Sequence, residues 1–410
     1  MAEDYKRNHY VPEWYQKGFI CPQSQDRKLC FLDLNPPVYR DGKGVVVGEM
    51  RPLRRYGPRS CFYQDDLYTT FVGENRSTDV EENFFGEVDR RAPAAVAFFN
   101  DFKHTNPGIH TAHKDLLLHL CTQKLRTPKG LAWLKKEAGQ TNKYALMIQL
   151  QMWKDLFAAI WSESVWLIAD ASASPTKFIL SDHPVTIYNR ECRPRSPQCA
   201  GHNDPDIRLN GSHSIFPLSA NKVLILTNLS WARNPYQSAT KLRPNPKFER
   251  NAMSYFFAIQ SERVLSEQEV RELNYIIKRR AFRYIAAEQE EWLFPEKHVE
   301  LGDWPKFGHG YLCMPDPRSM TYSREILIGY KGGGVDSFDE YGRKSWQPDF
   351  KQSPGNNEWE MFQRFKGEFA RLFGHKRRGR AFECAQLSPE EDSEDFHRYH
   401  LSLEGRTRRK

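Results

Sequence analysis

The sequence predicts an α+β fold: a helical block combined with an antiparallel β-sheet, a small β-rich N-terminal module before them and an irregular C-terminal extension after. Three observations carry this. Between Thr111 and Trp161 apolar residues recur at helical spacing. From Ser164 to Asn228 short apolar or alternating runs are separated by Ser-, Pro- and Asn-rich loops. Residues 1–72 hold only brief strand-like runs between turn signals.

A hydrophobic fraction of 39% and an aromatic fraction of 13% over 410 residues supply a full core, which excludes a disordered or fibrous chain. No run approaches the roughly 18 apolar residues of a membrane span, and MAEDYKRNHY lacks the apolar stretch of a signal peptide. A soluble, cytoplasmic protein with no membrane partner is therefore expected. Eight cysteines scattered over the chain do not make a disulfide scaffold. Cys192, Cys199 and His202 in CRPRSPQCAGH are of zinc-ligating type, but their spacing matches no common finger, so no metal is assigned. The net charge of +8 permits a polyanionic partner without requiring one. Its basic clusters (residues 51–59, 278–283 and 376–380) read first as solvated faces.

The elements follow in order. Asn8-His9-Tyr10-Val11-Pro12 leads into a short helix, Glu13 to Phe19, anchored by Trp14, Tyr15 and Phe19 and ended by Gly18. Strands are predicted at Lys28–Leu34, Val45–Val47 and Leu67–Val72. Thr78 and Glu81 form a capping box for a helix that runs to about Pro93, with a resumption through Phe99. Helices are predicted over Thr111–Leu125, from Thr127-Pro128 onward, and over Asn142–Trp161. Strands then fall at Val165–Ala169, Phe178–Leu180, Val185–Tyr188, Ser214–Pro217 and Val223–Asn228, in one antiparallel sheet. Glu191–Asn210, with prolines at 194, 197 and 205, is the expected mobile loop. Helix returns at Phe248–Ala258 and from the capping box Ser266/Glu269 to Glu291. Beyond Pro295 come a Gly332-Gly333-Gly334 turn, a helix over Glu358–Phe373 and a charged, poorly ordered end. The expected division is a main domain over residues 1–294, an extension over 295–385 packed on it, and a tail over 386–410.

Three islands carry candidate chemistry. Gln123 and Arg126 are three apart on a helix, and His119 lies four before Gln123, so a polar row faces away from Leu118, Cys121 and Leu125. Arg126 suits bidentate recognition of phosphate or carboxylate, with the Gln123 carboxamide beside it; pairing with a structural carboxylate is the equal alternative. Asp182 stands at a strand end before His183-Pro184, a position used for catalysis or simply to accept local backbone amides. His9 is the general-base candidate because imidazole titrates near neutrality, though packing is the commoner role of such a residue. Glu81 and Glu82 are carboxylates for a divalent cation, Mg or Mn, with Glu81 better explained as the capping partner.

NHYVPEWYQKGF, CTQKLRTP and ILSDHPV, in this order, resemble the uncharacterised family called domain of unknown function 4238, with the islands spanning about residues 8 to 260. The resemblance implies no established activity. Carried over position by position, it marks His9, Tyr10, Gln123, Arg126 and Asp182; His183 stands where members often have Asn, and the region after Pro295 resembles an extension shared by some members.

Two functions are weighed. One is a phosphodiesterase-like hydrolase of nucleic acid or nucleotides, such as a toxin or defence effector, with Arg126 and Gln123 on phosphate, His9 as acid or base, Asp182 orienting it or binding a cation, and Tyr10, His119 and His183 as binding residues. The other is a nucleic-acid- or protein-binding regulator in which the polar cluster is structural. The first requires His9, Arg126 and Asp182 to meet in an open pocket; a dry meeting favours the second.

Overall fold

The N-terminal motif enters the fold through its backbone. In the computed structural model, which describes residues 7–72, 75–77, 84–139, 142–162, 164–199, 203–207, 209, 212–227, 259–308, 325–329, 335–339 and 346, strand β1 (Arg7–His9) leads into helix α1 (Glu13–Lys17). Pro12 caps α1, and the Gly18 N–H closes it on the Tyr15 carbonyl. Next come β2 (Leu29–Asp33), a protruding ribbon of β3 (Val38–Arg40) and β4 (Val46–Glu49), then β5 (Leu53–Tyr56), β6 (Tyr63–Asp65) and the pair β7 (Thr70–Val72) and β8 (Asn75–Ser77). β1 pairs antiparallel with β6, His9 opposite Tyr63.

Four helices follow: α2 (Gly86–Asn100), α3 (Ile109–Arg126), α4 (Pro128–Ala138) and α5 (Lys143–Ser162). The expected stop at Pro93 does not occur. Pro93 lies inside α2, where it forgoes one backbone bond while Ala92, Ala95, Val96 and Phe99 keep the helix packed. The α3–α4 corner forms as predicted. Thr127 is extended, as a residue before proline prefers, and its Oγ1 accepts the Gly130 N–H at 3.1 Å. The two helices approach so closely that a Cβ on Gly130 would lie 2.2 Å from the Lys124 carbonyl oxygen.

The single antiparallel sheet of the sequence reading divides in two. After β9 (Val165–Asp170), strand β10 (Leu180–Ser181) leaves for a four-stranded sheet with N-terminal strands, while β11 (Thr186–Tyr188), β12 (His213–Pro217), β13 (Lys222–Thr227) and β14 (Gln260–Val264) remain with β9. Their order is β11-β12-β13-β9-β14, antiparallel except for the parallel β14–β9 edge. Val223 to Leu226 are all buried, so β13 is covered on both faces.

Helix α6 (Glu267–Arg280) begins at the predicted capping box, with both reciprocal bonds present. It does not reach Glu291. The chain turns at Ala281 into β15 (Tyr284–Ala287), completing the second sheet in the order β10-β15-β2-β5. Short turns then lay Trp304 into the body: its Nε1 donates to the Asn189 carbonyl at 3.0 Å, and the Tyr188 hydroxyl donates to the Trp304 carbonyl at 2.6 Å. β16 (Glu325–Gly329) and β17 (Val335–Asp339) pair antiparallel. The architecture is α+β. The Thr78/Glu81 capping box, Glu82, His202, the segments over 248–258 and 358–373, the Gly332–Gly334 turn, the 376–380 cluster and the charged tail lie outside the described residues. Among those described, no helix is long and apolar enough to cross a membrane.

Candidate functional site

His9 is partly exposed, donates from Nε2 to the Arg59 carbonyl at 3.1 Å, lies 3.6 Å from Glu13 Oε1 and meets the Tyr63 ring. Burial lowers its pKa, offset in part by the Arg59 hydrogen bond and by Glu13. None of its contacts among the described residues is with Arg126 or Asp182, so the expected three-way meeting does not form around His9. The reason is the β1–β6 pairing, which sends alternate residues to opposite sides and turns Tyr10 inward in place of His9.

Tyr10 makes the inner connection. Its carbonyl accepts Gln123 Nε2 at 2.7 Å, and Gln123 Oε1 accepts Arg126 Nε at 2.9 Å. Arg126 Nη1 then donates to Asp89 Oδ2 at 2.9 Å, and the Arg126 carbonyl accepts the Tyr68 hydroxyl at 2.8 Å. The Tyr10 phenol is held well above its ordinary pKa, chiefly by burial and next by the charge of Asp182. Gln123 and Arg126 do share a face, but that face is buried: every residue of α3 from His119 onward is buried, correcting the expectation of an open polar row. His119 packs between Trp14, Tyr15 and Phe216, with neither ring nitrogen hydrogen-bonded among the described residues. Burial, then the nearby Arg126 charge, lowers its pKa to about 3.

Asp182 terminates α6. Its Oδ1 accepts the Phe282 N–H at 2.8 Å, and its Oδ2 accepts those of Arg283 at 2.6 Å and Tyr284 at 2.8 Å. Without such a partner these three amides would remain orphaned where helix gives way to strand. Burial pushes its pKa up to about 6 although the three amides pull the other way.

An open pocket lies on the other side of the α3–α4 corner. Counting its mouth it encloses about 410 Å³, of which about 30 Å³ accepts the centres of water-sized molecules. Trp133, Phe157, Pro205 and Ile207 line it with apolar surface, while Lys124, Lys129, His183, Asp204 and Asp206 supply its charged and polar groups. Lys124 Nζ contacts Asp204 Oδ2, lies 2.9 Å from His183 Nε2 and donates to the Val185 carbonyl at 3.2 Å. Lys129 Nζ donates to the Arg280 carbonyl at 2.6 Å and is 3.1 Å from Asp204 Oδ1. His183 Nδ1 is 2.6 Å from Thr127 Oγ1, and its Nε2 is 3.2 Å from Asp204 Oδ2. Thus His183 joins the pocket rather than the Arg126 group.

Burial governs the electrostatics. It lowers Lys129 to about 8 and His183 to about 3, while Lys124 is lowered with Asp204 opposing. Asp204 is held well below the usual carboxylate range because Lys124 and Lys129 outweigh its burial. Arg280, also buried, donates from Nη1 to Cys199 Sγ at 2.9 Å and to the Asn203 carbonyl at 3.1 Å, and from Nη2 to the Cys192 carbonyl. Of the two cysteines considered for zinc, Cys199 therefore gives its sulfur and Cys192 its carbonyl to a guanidinium. Among the described residues, no three His, Cys, Asp or Glu side chains are grouped to hold a metal ion.

Sequence reasoning passed over Lys124, Lys129, Asp204 and Arg280. Lys124 lies inside the CTQKLRTP island, but Asp204 is 80 residues further along and Arg280 was read as part of a surface cluster. No local spacing joins them. The cluster at 278–283 is in fact spent internally: Lys278 pairs with Glu296 and Arg283 with Asp33.

Fold and pocket define an α+β protein with a cation-lined hollow at a helix corner. The chain belongs to the family of proteins of unknown function DUF4238, whose pattern matches residues 7–291. No curated protein and no solved structure matches it.

Proposed function

We propose that this pocket binds a nucleotide or a nucleic-acid end, with the planar base against Trp133 and Phe157 and a phosphate directed toward Lys124, Lys129 and His183. One observation carries the reading: two buried ammonium groups, Lys124 and Lys129, share the Asp204 carboxylate beside an aromatic wall, and with the buried Arg280 close by, held by carbonyls and the Cys199 sulfur, cations outnumber the carboxylates of Asp204 and Asp206 three to two. An uncompensated buried cation costs several kcal/mol, on the order of 3–5 for a broken pair, so a surplus of this kind favours an anionic ligand. Trp133, only partly buried at the pocket wall, offers the ring surface on which a base stacks, backed by the buried Phe157 at 5.8 Å between ring centroids. The Gln123–Arg126–Asp89 chain and the Asp182 amide clasp are structural in this account.

Phosphodiester hydrolysis is the second reading, favoured by Lys129, whose pKa of about 8 makes it a proton carrier near neutral pH at the pocket wall. Calorimetric titration of AMP and of short oligonucleotides into the full chain tests the binding. Saturable binding of AMP is expected, and its absence at millimolar ligand overturns the proposal. Incubation of the same ligands with and without Mg²⁺ or Mn²⁺ then separates a hydrolase, which yields products, from a binding protein, which does not.

A further inference from the structure

Asp204 is held as a ligand is held. Its Oδ2 meets Lys124 Nζ and lies 3.2 Å from His183 Nε2, and its Oδ1 lies 3.1 Å from Lys129 Nζ. Cationic or hydrogen-bonding groups from two helices and a strand-end loop thus converge on one carboxylate, which a separate segment, 203–207, delivers. We propose that Asp204 holds the place of the ligand's phosphate: Lys124, Lys129 and His183 form an anion subsite filled at rest by the chain's own carboxylate, and a terminal phosphate dianion displaces it. This rests on the pocket reading above.

Two features separate a stand-in from a dedicated counter-ion. The first is fit. Asp204 Oδ1 shares the Lys129 ammonium, 3.1 Å away, with the Arg280 and Asn203 carbonyls. A carboxylate has two oxygens in one plane, whereas a phosphate monoester presents three in a tetrahedral arrangement and reaches more donor directions. The second is charge. Lys124, Lys129 and the neighbouring Arg280 carry three positive charges against the two negative ones of Asp204 and of Asp206, which lines the same hollow and acts on Lys124, leaving a surplus of one among these five side chains. A terminal phosphate, with its second pKa near 6, carries close to two charges at neutral pH and, in the place of Asp204, cancels that surplus. A phosphodiester carries one and only equals Asp204.

The position of the segment agrees. Pro205, Asp206 and Ile207 line the same hollow, so Asp204 stands beside the space the ligand enters. The inference therefore narrows the ligand class to molecules with a terminal phosphate, such as a 5′-mononucleotide or a 5′-phosphorylated strand end.

The test is calorimetric titration of the full chain and of Asp204→Asn with AMP, inorganic phosphate and cyclic AMP at pH 7.5. With the internal competitor removed, Asp204→Asn is expected to bind AMP and inorganic phosphate at least tenfold more tightly than the wild type, and cyclic AMP with little change. If the wild type binds AMP but Asp204→Asn binds it equally or more weakly, Asp204 is not a stand-in, while the pocket reading survives. If neither protein binds any of the three, the pocket reading fails and this inference with it. A second measurement does not depend on the variant folding: amide hydrogen exchange of wild type with and without saturating AMP. Faster exchange over 203–207 on binding is expected; slower or unchanged exchange overturns displacement.

Discussion

The last turn of α3 sends Gln123 and Arg126 to one side and Lys124 to the other, and the polar groups they meet are balanced differently. On the first side each charge has a matched partner: Arg126 has the Asp89 carboxylate and the Gln123 carbonyl oxygen, and Asp182 has three backbone amides. On the second, Lys124 and Lys129 share the Asp204 carboxylate beside open space, while Arg280 is held by carbonyls and a sulfur. A satisfied cluster rigidifies a fold, and an unbalanced one at a cavity has something left to bind. The difference is not burial, since Arg126 and Lys129 are equally inaccessible. It is the ratio of charges and the presence of room.

The largest expected effect acts on both regions together. His113, His119, His183 and His213 are buried with pKa values lowered to about 4, 3, 3 and 3. A folded pKa below the unfolded value of about 6.5 means that the unfolded chain takes up protons first. Their contribution to stability is thus complete above about pH 6.5 and declines as the pH falls toward 4. Asp182, raised to about 6, acts in the opposite sense: its contribution is present below its unfolded value and lost as the pH rises through about 6. Four imidazoles outnumber one carboxylate. Each net proton changes stability by about 1.4 kcal/mol per pH unit, so a loss of several kcal/mol is expected between pH 7.5 and 5. Urea denaturation at the two pH values checks this; an unchanged or higher midpoint at pH 5 contradicts it.

A smaller and more local effect separates the two sides. Asp182→Ala removes the acceptor of three part-buried backbone N–H groups and is expected to cost about 3–5 kcal/mol in a urea titration at pH 7.5. A loss below about 1 kcal/mol would mean that these amides find other partners and that Asp182 is free for chemistry.

What was legible in the sequence follows the range of the interactions. The i,i+3 spacing of Gln123 and Arg126 announced a shared face, and the two side chains do bond; Thr127-Pro128 announced the corner that positions both clusters. The exit from α6 was hidden, because Ala281 to Glu291 is rich in good helix formers and the break is imposed by Asp182, 100 residues earlier. The departure of β10 to the other sheet was hidden too, as its partner β15 lies inside that misread helix. Asp204 was visible only as one residue of a proline-rich loop. A carboxylate's significance is set by the cations around it, and here they come from positions 124 and 129.

The comparison stands or falls on which side of the corner touches ligand. The direct measurement is calorimetric titration of AMP into wild type, Trp133→Leu and Arg126→Met, each with its thermal midpoint recorded. Trp133→Leu is expected to keep its midpoint within a few degrees and lose at least tenfold in affinity, having lost the stacking ring. Arg126→Met is expected to lose about 2–3 kcal/mol of stability, leaving Asp89 without its partner, while its folded fraction binds AMP as the wild type does. A stable Arg126→Met that no longer binds, beside a Trp133→Leu that binds normally, would place the ligand on the Arg126 side and contradict the account.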